Sequence, residues 1–158
     1  MDRITLDMAI HIITAAEQRA WQLGIPVNIS IVDECGDLIA FHRMDEARLA
    51  GIDIAQNKAW TSVTMQMPTA DLARLALPGG DAYGVNTTNQ GKVVILGGGI
   101  PLMCNKRIIG GVGVSGGSGA QDLEVAQVAV RTFDQIVGQI ETTVPVAQPS
   151  SRSFRRRE

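Results

Sequence analysis

The run Ile109-Gly110-Gly111-Val112-Gly113-Val114-Ser115-Gly116-Gly117-Ser118-Gly119 constrains this chain more than any other. Residues 107–115 read as a strand, and the glycine-serine stretch after it delivers the chain to a last helix over about residues 120–140. The chain holds 17 glycines, more than ordinary composition supplies, and they cluster late. Such clustering points to a site shaped by backbone. At a helix start, uncovered N–H groups and the helix dipole favour a carboxylate, propionate or phosphate. No Gly-Lys-Ser/Thr follows, so this is not a P-loop. No βαβ unit surrounds it, so it is not a dinucleotide fingerprint. The same residues also read as a tight strand–helix turn in which Ser118 caps the helix and Asp122 partly satisfies the dipole.

The rest of the chain supplies a framework for that turn. Thr5 is positioned to cap a first helix along Leu6, Ile10, Ile13, Ala16, Ala20 and Leu23, which Gly24 and Pro26 end. Val27, Ile29 and Ile31 alternate with Asn28 and Ser30, and a turn around Gly36 leads to a second extended run over 38–43. A second helix is expected over 48–67, with Leu49, Ile52, Ile54, Ala55, Ala59 and Val63 as its apolar surface. Pro68 breaks it, and Thr69 is placed to cap a short helix over 70–77. A polar loop runs from Pro78 to Gly91. A strand is expected over 92–96, followed by Gly97-Gly98-Gly99 and, after a turn at Asn105-Lys106, by the glycine-rich strand. The order αββααββα, with two hairpins and no βαβ crossover, predicts an α/β (α+β) fold with a mainly antiparallel sheet flanked by helices. One domain over 1–142 is expected, then a disordered basic tail over 143–158.

Charge narrows the partners. The net charge is −2, but Arg152, Arg155, Arg156, Arg157 and Glu158 carry +3, which leaves the remainder at −5. That acidic body offers no broad basic face for nucleic acid. No run reaches the ~18 apolar residues of a membrane span, and no signal peptide is recognisable at the N-terminus. Cys35 and Cys104 form no Cys-x-x-Cys pair. A reduced, cytoplasmic protein is the expectation.

Several segments together resemble the GlcG/HbpS family, which includes the C-terminal domain of the propanediol-utilisation protein PduO. They are Val32-Asp33-Glu34-Cys35-Gly36 with Phe41-His42-Arg43-Met44-Asp45, Ala55-Gln56-Asn57-Lys58-Ala59-Trp60, and Pro78-Gly79-Gly80 with Tyr83-Gly84. Gly97-Gly98-Gly99-Ile100-Pro101 follows, then residues 109–117 and Gln121-Asp122. The resemblance covers residues 4 to about 137. It implies a profilin-like sandwich, dimers or higher oligomers, and a link to haem or to small-molecule catabolism. Cys35 stands where a second glycine is common in the family, and Met103-Cys104-Asn105 replaces a more acidic segment.

Lys58 sits in an otherwise apolar helix. It suits a general acid or base with Asp33, or a binding charge for an anion alongside Arg43. The same residues also suit a structural ion pair of Lys58 with Asp33 or Asp45. Gly97, Gly98, Gly99, Ser115, Gly116, Gly117, Ser118 and Gly119 are the candidate ligand-binding backbone, expected to meet the second helix at one pocket. No spacing suits a closed zinc site. Haem needs only one or two axial ligands, and His11, Cys35 and Cys104 are the candidates. A Ser115, His42, Asp33 triad lacks the Gly-x-Ser-x-Gly elbow. The leading function is binding of an anionic metabolite or haem-like tetrapyrrole. The alternatives are a cofactor-independent lyase, isomerase or hydratase for a small oxygenated metabolite, and an accessory subunit of a catabolic complex.

Overall fold

A computed structural model describes residues 1–143. The expected tail over 143–158 lies outside the described residues except for Thr143, which closes the last helix. The elements are α1 (Leu6–Leu23), β1 (Asn28–Asp33), β2 (Leu38–Arg43), α2 (Ala50–Thr64), α3 (Thr69–Leu75), β3 (Gly99–Cys104), β4 (Arg107–Ser115) and α4 (Gly119–Thr143). Two short 3-10 turns, Val85–Thr87 and Asn89–Gly91, interrupt the polar loop. The sheet runs β2-β1-β4-β3, every pair antiparallel, which is the α+β sandwich read from the sequence. Among the described residues no helix is long and apolar enough to cross a membrane.

Thr5 caps α1 by accepting the Met8 N–H, and Gly24 ends it at φ 68. The buried face of α1 is Met8, Ala9, Ile12, Ile13, Ala16 and Ala20. Leu6 and Ile10, expected on that face, are instead exposed.

The two sheet faces are closed differently. Ile29, Ile31, Val112 and Val114 point toward α1 and α4 and pack with Ile12, Ile13 and Phe133. On the other face α2 lies almost backbone to backbone on β4. Gly51, Ala55, Ala59 and Val63 recur every fourth residue and are buried. A Cβ at Gly113 would stand 1.9 Å from the Ala55 carbonyl oxygen, and one at Gly111 2.9 Å from that of Ala59. The glycines of β4 are therefore needed for helix approach. Leu49, read as part of the apolar surface of α2, is exposed.

The strand expected over 92–96 does not form. Two threonines take its polar groups: Thr61 Oγ1 accepts the Val94 N–H at 3.0 Å, and Thr69 Oγ1 donates to the Leu96 carbonyl at 2.6 Å. Strand β3 starts at Gly99 because the hairpin turn sets the register. Asn105 and Lys106 both take positive φ, the backbone of a two-residue type I′ turn. Cys104 then pairs with Arg107, and the strand is counted back from there. Pro101 is tolerated because β3 is an edge strand. Thr69, expected as a helix cap, makes no cap bond and instead also accepts the Gly99 N–H at 2.9 Å.

Candidate functional site

The site lies at the end of the sheet where β4 runs out. A cavity of about 360 Å³ opens there between α2 and the β4–α4 turn. Buried Gly51, Lys58, Ser115 and Asp122 form its floor, and exposed Arg48, Ala50 and Leu96 stand at its rim. Ile54, Gly97, Gly116, Gly117 and Gly119 complete the walls. This is where the sequence placed a pocket, at the glycine-rich exit against the second helix.

Lys58 is the charge at the centre. Its side chain is 2% exposed, and Nζ donates to the Val114 carbonyl at 2.8 Å and to Asp122 Oδ2 at 2.9 Å. Burial pushes the Lys58 pKa below its ordinary 10.5, and the Asp122 charge and hydrogen bond oppose that shift. Asp122 is fixed from its other oxygen, because Oδ1 accepts the Gly117 N–H at 2.8 Å. Removing one member of such a buried pair costs about 3–5 kcal/mol.

The start of α4 is satisfied mainly from within. Ser118 Oγ accepts the Gln121 N–H at 3.2 Å, and Gln121 Oε1 accepts the Ser118 N–H at 2.9 Å, a reciprocal capping box. With Asp122 on Gly117, two of the N–H groups that the sequence offered to a ligand are already taken. Ser118 therefore serves the helix end. Gly116 lets the turn pass the preceding loop, since a Cβ there would meet the Pro26 carbonyl at 2.3 Å. A Cβ at Gly119 would meet nothing within 4 Å.

Gly97, Gly98 and Gly99 reach the same place by different roles. Gly97 lines the cavity. Gly98, at φ 120, accepts the Val114 N–H through its carbonyl, and a Cβ on it would stand 3.1 Å from Lys58 Nζ. Gly99 is packed against the Lys58 carbonyl.

Other candidates are elsewhere. Asp33 Oδ1 accepts the Cys35 and Asp37 N–H groups, each at 2.9 Å, and so closes the first hairpin. In the β1–β4 register Asp33 faces Gly110, whereas Lys58 bonds Val114, which faces Ile29. Four strand residues, about 13 Å, separate the two levels. Lys58 and Asp33 are therefore not a pair, and neither Asp33 nor Asp45 is the ion-pair partner of Lys58. Arg43, at the end of β2, borders a separate surface depression with Asp45 and Glu46. The Ser115, His42, Asp33 triad is dispersed, since His42 Nδ1 meets Glu17 Oε1 at 2.7 Å on the α1 side.

His11 is exposed on α1, with Nδ1 3.1 Å from the Asp7 carbonyl oxygen. Cys35 is exposed in the hairpin turn, where Asp33 chiefly, with a little burial and Glu34 and Asp37, pushes its thiol pKa up. Cys104 is buried at the end of β3. None of the three lines the cavity. Among the described residues no group of three or more His, Cys, Asp or Glu is placed to hold a metal ion.

The sequence reading missed Arg48, Gly51 and Leu96 as wall residues and Asp122 as the partner of Lys58. The four-residue spacing of Gly51, Ala55 and Ala59 was a signal for close helix approach. No local pattern ties Lys58 to a carboxylate 64 positions away.

A family model described as "Haem degrading protein HbpS-like" matches residues 4–131. An uncharacterised 15.0 kDa protein from the dhaT-dhaS intergenic region of Citrobacter freundii is 38% identical, over 84% of this chain and 94% of that protein. The corrinoid adenosyltransferase PduO of Salmonella typhimurium is 44% identical over 79% of this chain, which spans only 38% of that protein's length. Among solved structures, a PduOC–heme complex is 40% identical with a TM-score of 0.80, covering 82% of this chain and 94% of that one.

Proposed function

The chain belongs to the HbpS-like family, and from that premise we propose that it binds a small, oxygen-bearing organic anion in the cavity between α2 and the β4–α4 turn. One observation carries the reading: a buried lysine, neutralised by its own aspartate, faces a cavity with an arginine at the rim. Lys58 uses two of its three N–H donors within the protein, which leaves one for a ligand oxygen. Among the described residues no carboxylate forms an ion pair with Arg48, so it offers the site's net charge. About 360 Å³ lies near the lower end of small-molecule sites and suits a metabolite of a few carbons. A place in small-molecule catabolism is part of the proposal.

Calorimetry with two- to four-carbon hydroxy- and oxo-carboxylates tests it. Lys58→Met keeps the stem and deletes the charge, and should weaken binding by about 1–3 kcal/mol. Equal affinity for the variant and the parent chain would remove Lys58 from the site.

Haem is the second reading, supported by the family description and by the haem complex of a relative. The cavity residues do not fit it. No imidazole, thiol, thioether or phenol lines the walls, and Lys58 is held by Asp122. Haem on this chain would sit elsewhere, with exposed His11 a candidate axial ligand. Haemin titration of the parent chain and of His11→Ala, Cys35→Ser and Cys104→Ser checks this. Identical spectra for all four would eliminate these residues as individually necessary ligands.

Acid–base chemistry, if the cavity performs it, falls to Lys58 with Asp122. A homo-oligomer remains part of the proposal, supported by Leu6, Ile10 and Trp21, which are exposed along one side of α1. Light scattering that shows a monomer would remove it.

A further inference from the structure

We propose that Lys58 forms a Schiff base with a small aldehyde or ketone in the cavity, so that the protein captures its ligand covalently and reversibly. The inference rests on the binding site proposed above and narrows its ligand to a carbonyl compound.

The geometry supplies what the reaction needs. Lys58 lines the cavity, and its Nζ lies 2.9 Å from the Asp122 carboxylate. Ile54, Leu96 and Ala50 make much of the surrounding wall apolar, which weakens solvation of the ammonium. Burial also moves Lys58 toward the neutral amine, the form that attacks carbonyls. Asp122 is held by the Gly117 N–H, so its second oxygen stays aimed at Nζ.

The steps balance without an added reagent. Lys58 passes one proton to Asp122 and becomes an amine. Its lone pair attacks the carbonyl carbon, forming the C–N bond as the C=O π pair moves to oxygen. Asp122 protonates that oxygen and takes a proton from nitrogen, which leaves a neutral carbinolamine. Asp122 then protonates the hydroxyl, the C–O bond breaks, water leaves, and the nitrogen lone pair closes C=N. The product is an iminium opposite the Asp122 carboxylate, with the charge balance of the original ion pair. Water reverses the sequence. Arg48 at the rim suits a carboxylate on the same molecule.

The chain contains its own controls, because its other lysines, Lys92 and Lys106, are both exposed. The full chain is incubated with glyoxylate or acetaldehyde and cyanoborohydride, and the adducts are mapped by peptide mass spectrometry. Lys58 should be labelled first, at least about tenfold faster than Lys92 or Lys106, because the cavity holds the carbonyl compound beside the amine. Acetate, which offers a carboxylate but no reactive carbonyl, should slow labelling by glyoxylate. Lys58→Arg keeps a cation opposite Asp122 and should abolish the fast adduct. Labelling of Lys58 no faster than the exposed lysines would overturn the inference, and that comparison is made within the parent chain whether or not the variant folds. Calorimetry with acetate and glyoxylate, without reductant, separates the two failures. Binding without a selective adduct sinks only the Schiff base, whereas no binding and no adduct sinks the site as well.

Discussion

The two faces of the sheet solve the same packing problem with opposite materials. Toward α1 and α4, aliphatic side chains interdigitate, and Ile29, Ile31, Val112 and Val114 are fully buried among them. Toward α2, β4 presents glycine, and Gly111 and Gly113 lie against the backbone of Ala59 and Ala55. The first face is held by transferred apolar area. The second is held by close approach, and that approach has a chemical consequence. A helix lying this near the strand brings Lys58 within bonding distance of a strand carbonyl and of the first turn of the next helix. The site exists because α2 is close, and α2 is close because β4 carries no Cβ at Gly111 and Gly113.

The largest expected effect tests the polar end of the α2 face. Asp122→Ala leaves Lys58 buried without its counter-charge and should lower stability by about 3–5 kcal/mol. Urea unfolding measures it, and a loss below about 1 kcal/mol would mean that water reaches Lys58 easily. Next comes a pair of opposite substitutions. Gly113→Ala adds one methyl against the Ala55 carbonyl and should cost about 3 kcal/mol, the upper part of the overpacking range. Val114→Ala, one residue on and facing the other way, removes two methyls from the aliphatic face and should cost about 2 kcal/mol. If removal proves costlier than addition, the contrast between the faces is mistaken.

The sequence and the structure agree where local chemistry decides and part where distant partners do. Thr5, Gly24 and the order of elements were legible because caps, turns and periodicity are local signals. The pocket's location was legible because glycines at a strand–helix junction expose backbone. Residues 92–96 look like a strand by composition, but Thr61 and Thr69 occupy their polar groups and a two-residue turn fixes the register elsewhere. Leu6 and Ile10 follow helical spacing, yet the packed stripe of α1 is centred on Ile12, Ile13 and Ala16. The Lys58–Asp122 pair joins two helices across the end of the sheet, and a choice among distant aspartates is settled only by tertiary packing. Asp33 and Asp45 are both nearer in the sequence than Asp122, but the Asp33 carboxylate is spent on its own turn.

The smallest expected effect is the pH dependence that Lys58 imposes. Its folded pKa lies below 10.5, mainly through burial, so between that lower value and 10.5 the unfolded chain holds more proton than the folded one. Stability contributed by this group therefore rises as pH increases through that window, and the cost of burying the ammonium is fully present below it. One proton limits the slope to about 1.4 kcal/mol per pH unit, and the Asp122 attraction opposes the shift. Other groups titrate in the same range, so the comparison is made against the double variant Lys58→Met/Asp122→Asn, in which neither position ionises. The Tm of the parent chain minus that of the double variant should increase as pH is raised toward 10.5. A decrease would mean that Asp122 dominates and holds the folded pKa above its ordinary value. Lys58 would then be a fixed cation, and the α2 face would differ from the aliphatic face only in its packing.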